Sequence, residues 1–125
     1  MKSNTVQDIL SELSMFDSIA FDIENKYAVS LPMEVKMLLK NHGDQFIPTG
    51  DGEHYRILSK DEMMNTERHL GLDCVKMGVL PLVDCKDNNF LVYKVGNNCF
   101  EMINIVDGNP YDSYLTLIDF WKDLL

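Results

Sequence analysis

The chain has 125 residues, of which 46% are hydrophobic and 25% are charged, values that suit one globular domain and exclude disorder and fibrous repeats. Its 11 lysine and arginine residues stand against 20 aspartate and glutamate residues, which gives a formal net charge of −9. Because phosphate binding depends on lysine and arginine, this balance argues against nucleic-acid and anionic-membrane partners and favours a basic protein partner.

The cysteines and the N-terminal segment favour a cytoplasmic location. Cys74, Cys85 and Cys99 are odd in number and form no CxxC pair, so we expect reduced thiols rather than a disulfide framework. Residues 1–16 contain one lysine and no unbroken apolar stretch, so we expect no secretion signal. No run approaches the roughly 20 apolar residues that span a bilayer.

Helices are predicted for the first part of the chain. Apolar residues spaced three and four apart indicate one helix face at Val6, Ile9, Leu10, Leu13 and Phe16, continued at Ile19, Ile23 and Tyr27. Pro32 suits the first turn of a further helix. We expect Gly43 to end that helix, because glycine adopts the left-handed conformation at low cost.

Strands and one more helix are predicted for the middle of the chain. Residues 44–53 are predicted to be a loop by their proline, glycine and aspartate content, and His54–Leu58 a short strand. Ser59 and Glu62 have the spacing of a capping box, which predicts a helix over about residues 60–70.

The last part of the chain is predicted to be a meander closed by a helix. The predicted strands are Val79–Val83, Phe90–Val95 and Cys99–Val106. Pro81 is expected at a strand edge or a bulge, because it has no N–H to donate. Ser113 is expected to cap a final helix whose apolar face holds Leu117, Ile118, Trp121, Leu124 and Leu125. The order of elements predicts a single α+β domain, mainly an antiparallel sheet with N-terminal helices and a C-terminal helix packed around it.

No motif indicates catalysis or a cofactor. His42, His54 and His69 lack the spacing that places two ligands on one metal, and no GxSxG elbow or glycine-rich phosphate loop is present. We therefore expect a protein that is not an enzyme and holds no metal or cofactor. Sequence does not exclude a triad assembled in space, so a small hydrolase using Cys99 or a histidine–carboxylate pair is a rival hypothesis.

Methionines and aromatic residues are interpreted mainly as core. The methionines are Met33, Met37, Met63, Met64, Met77 and Met102, and the alternative for them is an adaptable binding surface. The aromatic residues interpreted as core are Phe16, Phe21, Tyr27, Tyr93, Phe100, Phe120 and Trp121.

The order of these motifs resembles the SUKH superfamily, which includes the yeast Smi/Knr cell-wall-synthesis regulator and many bacterial immunity proteins. The likeness is carried by Ser30–Glu34 before a helix, Leu38–Gly43 at its exit, Arg56–Ser59 with Glu62, Val79–Asp84 with Phe90–Lys94, and Leu115–Leu125. It covers residues 16–125 and leaves residues 1–15 as an N-terminal helical extension. Two departures are His42 within the Asn-Gly step and a turn at Asp84–Asn89 without glycine, where Asn88 and Asn89 tolerate positive φ.

The resemblance implies a sheet of four to six strands and a role in neutralising a cognate toxin domain, often a nuclease. Our hypothesis is a cytoplasmic immunity protein that binds a basic toxin through acidic loops and strand edges; its oligomeric state is left open. The predicted contacts are Asp44, Asp51, Glu53, Asp84, Asp87, Glu101, Asp107, Tyr111, Asp112 and Tyr114. Two alternatives are a regulatory scaffold of the Smi/Knr type without a toxin partner, and an acidic surface that only confers solubility.

Overall fold

The protein is an α+β domain built on one meander. The computed structural model describes residues 6–7, 20–50 and 52–124. The strands are Phe46–Pro48 (β1), His54–Ile57 (β2), Val79–Asp84 (β3), Asn89–Lys94 (β4), Cys99–Asn104 (β5) and Pro110–Tyr114 (β6). The helices are residues 20–27 (α1), Met33–His42 (α2), Lys60–Met64 (α3), Thr66–Leu70 (α4), Cys74–Met77 (α5) and Leu117–Asp123 (α6). The six strands follow in chain order, each antiparallel to its neighbours, so the predicted fold class is confirmed.

Helices cover both faces of the sheet. Neighbouring residues of a strand point to opposite faces, and on β2 Arg56 bonds to Glu62 of α3 while Ile57 lines a cavity with Leu38 of α2 and Trp121 of α6. The central strands β3 and β4 are accordingly buried almost throughout. The core therefore lies on both sides of the middle of the sheet, and the outer strands are the exposed ones.

Local rules place several elements as predicted. The Ser59 hydroxyl accepts the Glu62 N–H at 3.2 Å, and the Glu62 carboxylate accepts the Ser59 N–H at 2.9 Å, so the capping box is confirmed. Pro81 lies at the register shift between β3 and β4, which confirms the predicted bulge. Buried Ile23 and Tyr27 in α1 also match the predicted helix face.

The predicted helix over residues 60–70 is wrong as one element. It is divided into α3 and α4 at Asn65, whose φ of −129° is not helical. The four-residue helix α5 was not predicted, since it is too short to show periodicity. The Asp73 side chain starts it by accepting the Lys76 N–H at 3.1 Å.

Both outer strands were missed. β1 lies inside the predicted loop 44–53, and Ser113, predicted to cap the last helix, lies in β6 opposite Glu101. The cap of α6 is instead Thr116, whose hydroxyl accepts the Asp119 N–H at 3.2 Å. Pairing with a neighbouring strand, rather than local sequence, creates these two strands.

Two predicted turn conformations are also wrong. Gly43 ends α2 with φ −54°, and Asp44 takes the left-handed conformation with φ 65°. Glycine is favoured at 43 because a Cβ there would lie only 3.0 Å from the Leu39 carbonyl oxygen, a tight contact. In the β3–β4 turn Asn88 has the expected positive φ of 65°, but Asn89 belongs to β4.

Several residues assigned to the core lie on the surface. They are Phe21, Met33, Met37, Met77 and Ile118. Other predictions fall outside the described residues: the helix face from Ile9 to Phe16 with Ile19, the boundary between residues 15 and 16, Asp51, and Leu125.

Candidate functional site

A charged cluster is centred on Arg56 of β2. Its guanidinium donates two hydrogen bonds to the Glu62 carboxylate, at 2.7 and 2.5 Å, and one to Asp44 at 3.0 Å. These bonds from Arg56, helped by the Ser59 N–H and opposed by burial, lower the pKa of Glu62 to about 2. The cluster ties β2, α3 and the turn after α2 together, so its charges are engaged within the chain.

A groove of about 540 Å³ opens beside this cluster. The strand register places Phe46, Arg56, Asp84 and Phe90 in one row across four strands, and all four line the groove. Its other walls include His54, Glu62, His69, Leu70, Lys86 and Asp87. Both acidic and basic side chains line this space, so it has no single sign of charge to select a ligand.

Two predicted contacts, Asp84 and Asp87, line this groove, and a third, Asp44, is connected to it through Arg56. Asp44 bonds to Arg56, and Asp84 accepts the Lys86 N–H at 3.0 Å. The Asp87 carbonyl oxygen lies 3.4 Å from the side-chain amide of Asn104. The carboxylates of Asp44 and Asp84 thus stabilise turns of their own chain, which limits what they offer a partner.

Other predicted contacts are far apart. Glu53 is exposed in the β1–β2 turn, while Glu101 lies on β5, 3.7 Å from the Lys94 ammonium. With strands about 4.8 Å apart, β1 and β6 are separated by about 24 Å. The predicted contacts that the structure describes therefore do not form one compact patch.

The remaining four, Asp107, Tyr111, Asp112 and Tyr114, lie together along the outer strand β6 and the turn before it. Large apolar side chains accompany them: Val106 is 78% exposed, Tyr111 58% and Leu115 79%. We call Val106, Asp107, Tyr111, Asp112 and Leu115 the outer edge. It combines exposed apolar side chains with carboxylates, the composition of a protein-binding surface for a cationic partner.

The outer strand is protected against pairing with another strand. The Asp112 carboxylate accepts the Ser113 N–H at 3.0 Å, and Pro110 has no N–H to offer. The Tyr114 hydroxyl lies 3.2 Å from Asp112 and 2.9 Å from Asp123 of α6. Burial and these carboxylates raise the pKa of Tyr114, which keeps it a neutral donor. These features disfavour the addition of another strand at β6.

The cysteines and histidines do not assemble an obvious nucleophile. Burial raises the pKa of the Cys85 thiol to about 12 and also raises that of Cys74, so both are protonated at neutral pH. His42 lies 3.0 Å from the Gln45 amide oxygen, and His69 lies 2.8 Å from the Asp61 carboxylate. Among the described residues, no group of three or more histidine, cysteine, aspartate or glutamate side chains is arranged to hold a metal ion.

Sequence reasoning missed Val106 and Leu115 and placed Ile118 on the wrong face of α6. The buried stripe of α6 runs through Leu117 and Phe120, while Ile118 is 61% exposed. One residue turns a helix by about 100°, so Ile118 projects well away from Leu117. A narrower apolar face, drawn only through Leu117 and Phe120, would have left Ile118 on the exposed side of the helix.

No protein-family model, no curated protein and no solved structure matches this chain. The similarity to the SUKH superfamily stays a prediction from the motifs. Within residues 6–7, 20–50 and 52–124, every helix is too short or too polar to cross a bilayer.

Proposed function

We propose that this protein is a cytoplasmic immunity protein that binds and neutralises a basic toxin domain through its outer edge. One observation carries the proposal: Val106, Tyr111 and Leu115 expose most of their surface in the same short segment of chain as Asp107 and Asp112. Apolar anchors inside a charged rim are typical of protein interfaces, and exposed patches of this kind have a cost unless a partner covers them.

Charge supports the choice of a basic partner. Residues 95–125 contain Glu101, Asp107, Asp112, Asp119 and Asp123 but only one cation, Lys122. A nuclease that grips phosphates presents a cationic cleft, and complementary charge accelerates its association with an acidic protein. The resemblance to the SUKH superfamily supports a toxin as the partner. The free thiols of Cys74, Cys85 and Cys99 agree with a cytoplasmic location.

The test is capture of the partner followed by a growth assay. The tagged protein is used to recover its partner from the source cell at low and at high salt, and the recovered protein is then expressed alone and together with this chain. We expect one basic protein that arrests growth alone and is tolerated when both are expressed, with capture weakened by salt.

Two double variants of matched exposure locate the surface. The first, Asp107→Lys with Tyr111→Ala, changes the outer edge; the second, Glu67→Lys with Phe46→Ala, makes the corresponding changes elsewhere on exposed residues. We expect only the first to lose growth rescue. Recovery of a partner that is harmless alone indicates a regulatory scaffold, and equal rescue by both variants places the binding surface elsewhere.

A further inference from the structure

The groove beside Arg56 has the size of a small-molecule site. Its volume of about 540 Å³ lies within the range of about 300–1,000 Å³ that such sites occupy. The row of residues from Phe46 on β1 to Phe90 on β4 crosses three strand spacings, or about 14 Å. An extended dipeptide spans about 7 Å, so a molecule of that size fits along the row. The groove is separate from the outer edge, whose five residues do not line it.

Apolar side chains form part of the groove wall. Phe46 is a large aromatic residue that is 64% exposed at the β1 end. Leu70 of α4 and Ile105 after β5 are half-buried and line the same space. A ligand with an apolar body would remove this surface from water, which favours binding.

The groove also presents unlike charges that are not paired with each other. One oxygen of half-buried Asp84 accepts the Lys86 N–H at 3.0 Å, but neither the Asp84 carboxylate nor the Lys86 ammonium forms an ion pair within the part of the chain that the structure describes. Exposed Asp87 adds a second carboxylate to the lining. An acceptor and a donor of opposite charge are therefore both available to a ligand.

Arg56 keeps donors in reserve. A guanidinium has five N–H groups, and the bonds to Glu62 and Asp44 use three of them. The strand register places Arg56 opposite Asp84, so their backbones are one strand spacing, about 4.8 Å, apart. Donors of positive charge and an acceptor of negative charge thus lie side by side on one face of the sheet.

We infer that this groove binds a small zwitterionic molecule with an apolar body, of the chemistry of a short peptide with free ends. The ligand ammonium meets the Asp84 carboxylate, and the ligand carboxylate meets the Lys86 ammonium and the remaining donors of Arg56. A ligand of one sign is attracted by some of these groups and repelled by the others, whereas a zwitterion satisfies both kinds. This inference does not depend on the proposed function.

The three histidines of the chain report on occupancy. His54 and His69 line the groove, whereas His42 lies beside Trp121 and does not. The probes are the dipeptide Leu-Phe with free ends, its N-acetylated form and its C-amidated form, added at constant neutral pH while the imidazole C–H signals are followed by NMR. We expect saturable shifts of the His54 and His69 signals with the free-ended dipeptide, unchanged His42 signals, and binding at least about tenfold weaker for each blocked form, because each has lost one charged contact.

Two pairs of matched variants test the assigned charges. Asp84→Asn keeps an acceptor for the Lys86 N–H but removes the carboxylate charge. Asp73→Asn is its control, because Asp73 likewise accepts the Lys76 N–H at 3.1 Å and lies outside the groove. Lys86→Met and Lys76→Met make the same comparison for the cation. We expect only the Asp84 and Lys86 variants to weaken the dipeptide at least about tenfold, with circular dichroism confirming the fold of all four.

The inference is wrong if the free-ended dipeptide gives no saturable shift, or if either blocked form binds as tightly. It is also wrong if Asp73→Asn weakens binding as much as Asp84→Asn, or if the His42 signals move as far as those of His54 and His69. The titration uses no toxin and leaves the outer edge unchanged, so its outcome is independent of the growth assay.

Discussion

Arg56 and Glu62 form a two-pronged ion pair, with hydrogen bonds of 2.7 and 2.5 Å, that joins the second strand of the sheet to the helix that follows it. The same carboxylate caps that helix by accepting the Ser59 N–H. The Glu62 side chain, which is only 16% exposed, thus both pairs with Arg56 and caps the helix. Partial exclusion of water makes such a pair stronger than an ion pair on the open surface.

Replacing Arg56 should destabilise the protein. Arg56→Met leaves Glu62 partly buried without its main donor, and we expect a loss of about 1.5–3 kcal/mol in the free energy of unfolding. The measurement is urea unfolding followed by circular dichroism. Lys60→Met is the matched control, because the pair of Lys60 with Asp22 is about half exposed and should contribute less than about 1 kcal/mol. Equal losses for the two variants would show that the Arg56 pair has no special strength.

The low pKa of Glu62 also predicts how stability depends on acid. Its pKa is about 2 in the folded protein and near 4.5 when unperturbed, so the folded state binds this proton more weakly than the unfolded state. The stabilisation is therefore complete above about pH 4.5 and is lost as the pH falls toward 2. Glu62→Gln should remove this part of the pH dependence. Asp61, whose pKa is lowered chiefly by its bond to His69, titrates in the same direction in both proteins and cancels from the difference.

The buried hydroxyl of Tyr27 predicts a smaller effect. It donates a 2.6 Å hydrogen bond to the Met63 carbonyl oxygen and so ties α1 to α3. Tyr27→Phe should cost about 1 kcal/mol, because the carbonyl loses its donor in a buried place. Tyr111→Phe, on an exposed tyrosine, should stay within about 0.5 kcal/mol of the parent. An unchanged unfolding midpoint for Tyr27→Phe would contradict the hydrogen bond.

Some features of this fold are determined by short stretches of sequence. The capping box of Ser59 and Glu62 is complete within four residues, and the bulge at Pro81 follows from a missing N–H, so both were predictable. The pairing of Arg56 with Glu62 was not predictable, because the two side chains meet only after β2 and α3 pack together.

The outer strands could not be predicted from the local sequence alone. β6 has the sequence PYDSY and is largely exposed, so it lacks the alternation of apolar and polar residues that predicts a strand. It is a strand because it pairs with β5. The candidate site could likewise be predicted only in part from local sequence. Asp107 and Asp112 were identified from charge, but the exposure of Val106 and Leu115 in the same segment depends on which side chains the folded sheet leaves uncovered.

Cysteine reactivity offers a test of the buried surface. Burial raises the pKa of Cys85 to about 12, so at pH 8 its thiol is protonated and shielded. We expect iodoacetamide to label half-buried Cys99 first and to leave Cys85 and Cys74 unmodified until denaturant is added. Peptide mass mapping identifies the labelled site, and rapid native labelling of Cys85 would contradict its placement.

The turn between β3 and β4 should be open to stabilisation. Lys86, Asp87 and Asn88 have φ values of 71°, 54° and 65°, a run of left-handed residues without glycine. A lysine side chain is too long to offset this conformation with a local backbone hydrogen bond, as the side chains of aspartate and asparagine can. The bond from the Lys86 N–H to Asp84 is kept by glycine, so Lys86→Gly should stabilise the fold by about 0.5–1 kcal/mol despite the extra freedom of glycine when unfolded. The same change in a helix, Lys26→Gly at an exposed residue of α1, should instead destabilise by about 0.5–1 kcal/mol. Opposite shifts in the urea midpoint are expected for the two variants; a loss of stability for Lys86→Gly would mean that the turn is not held in the left-handed region.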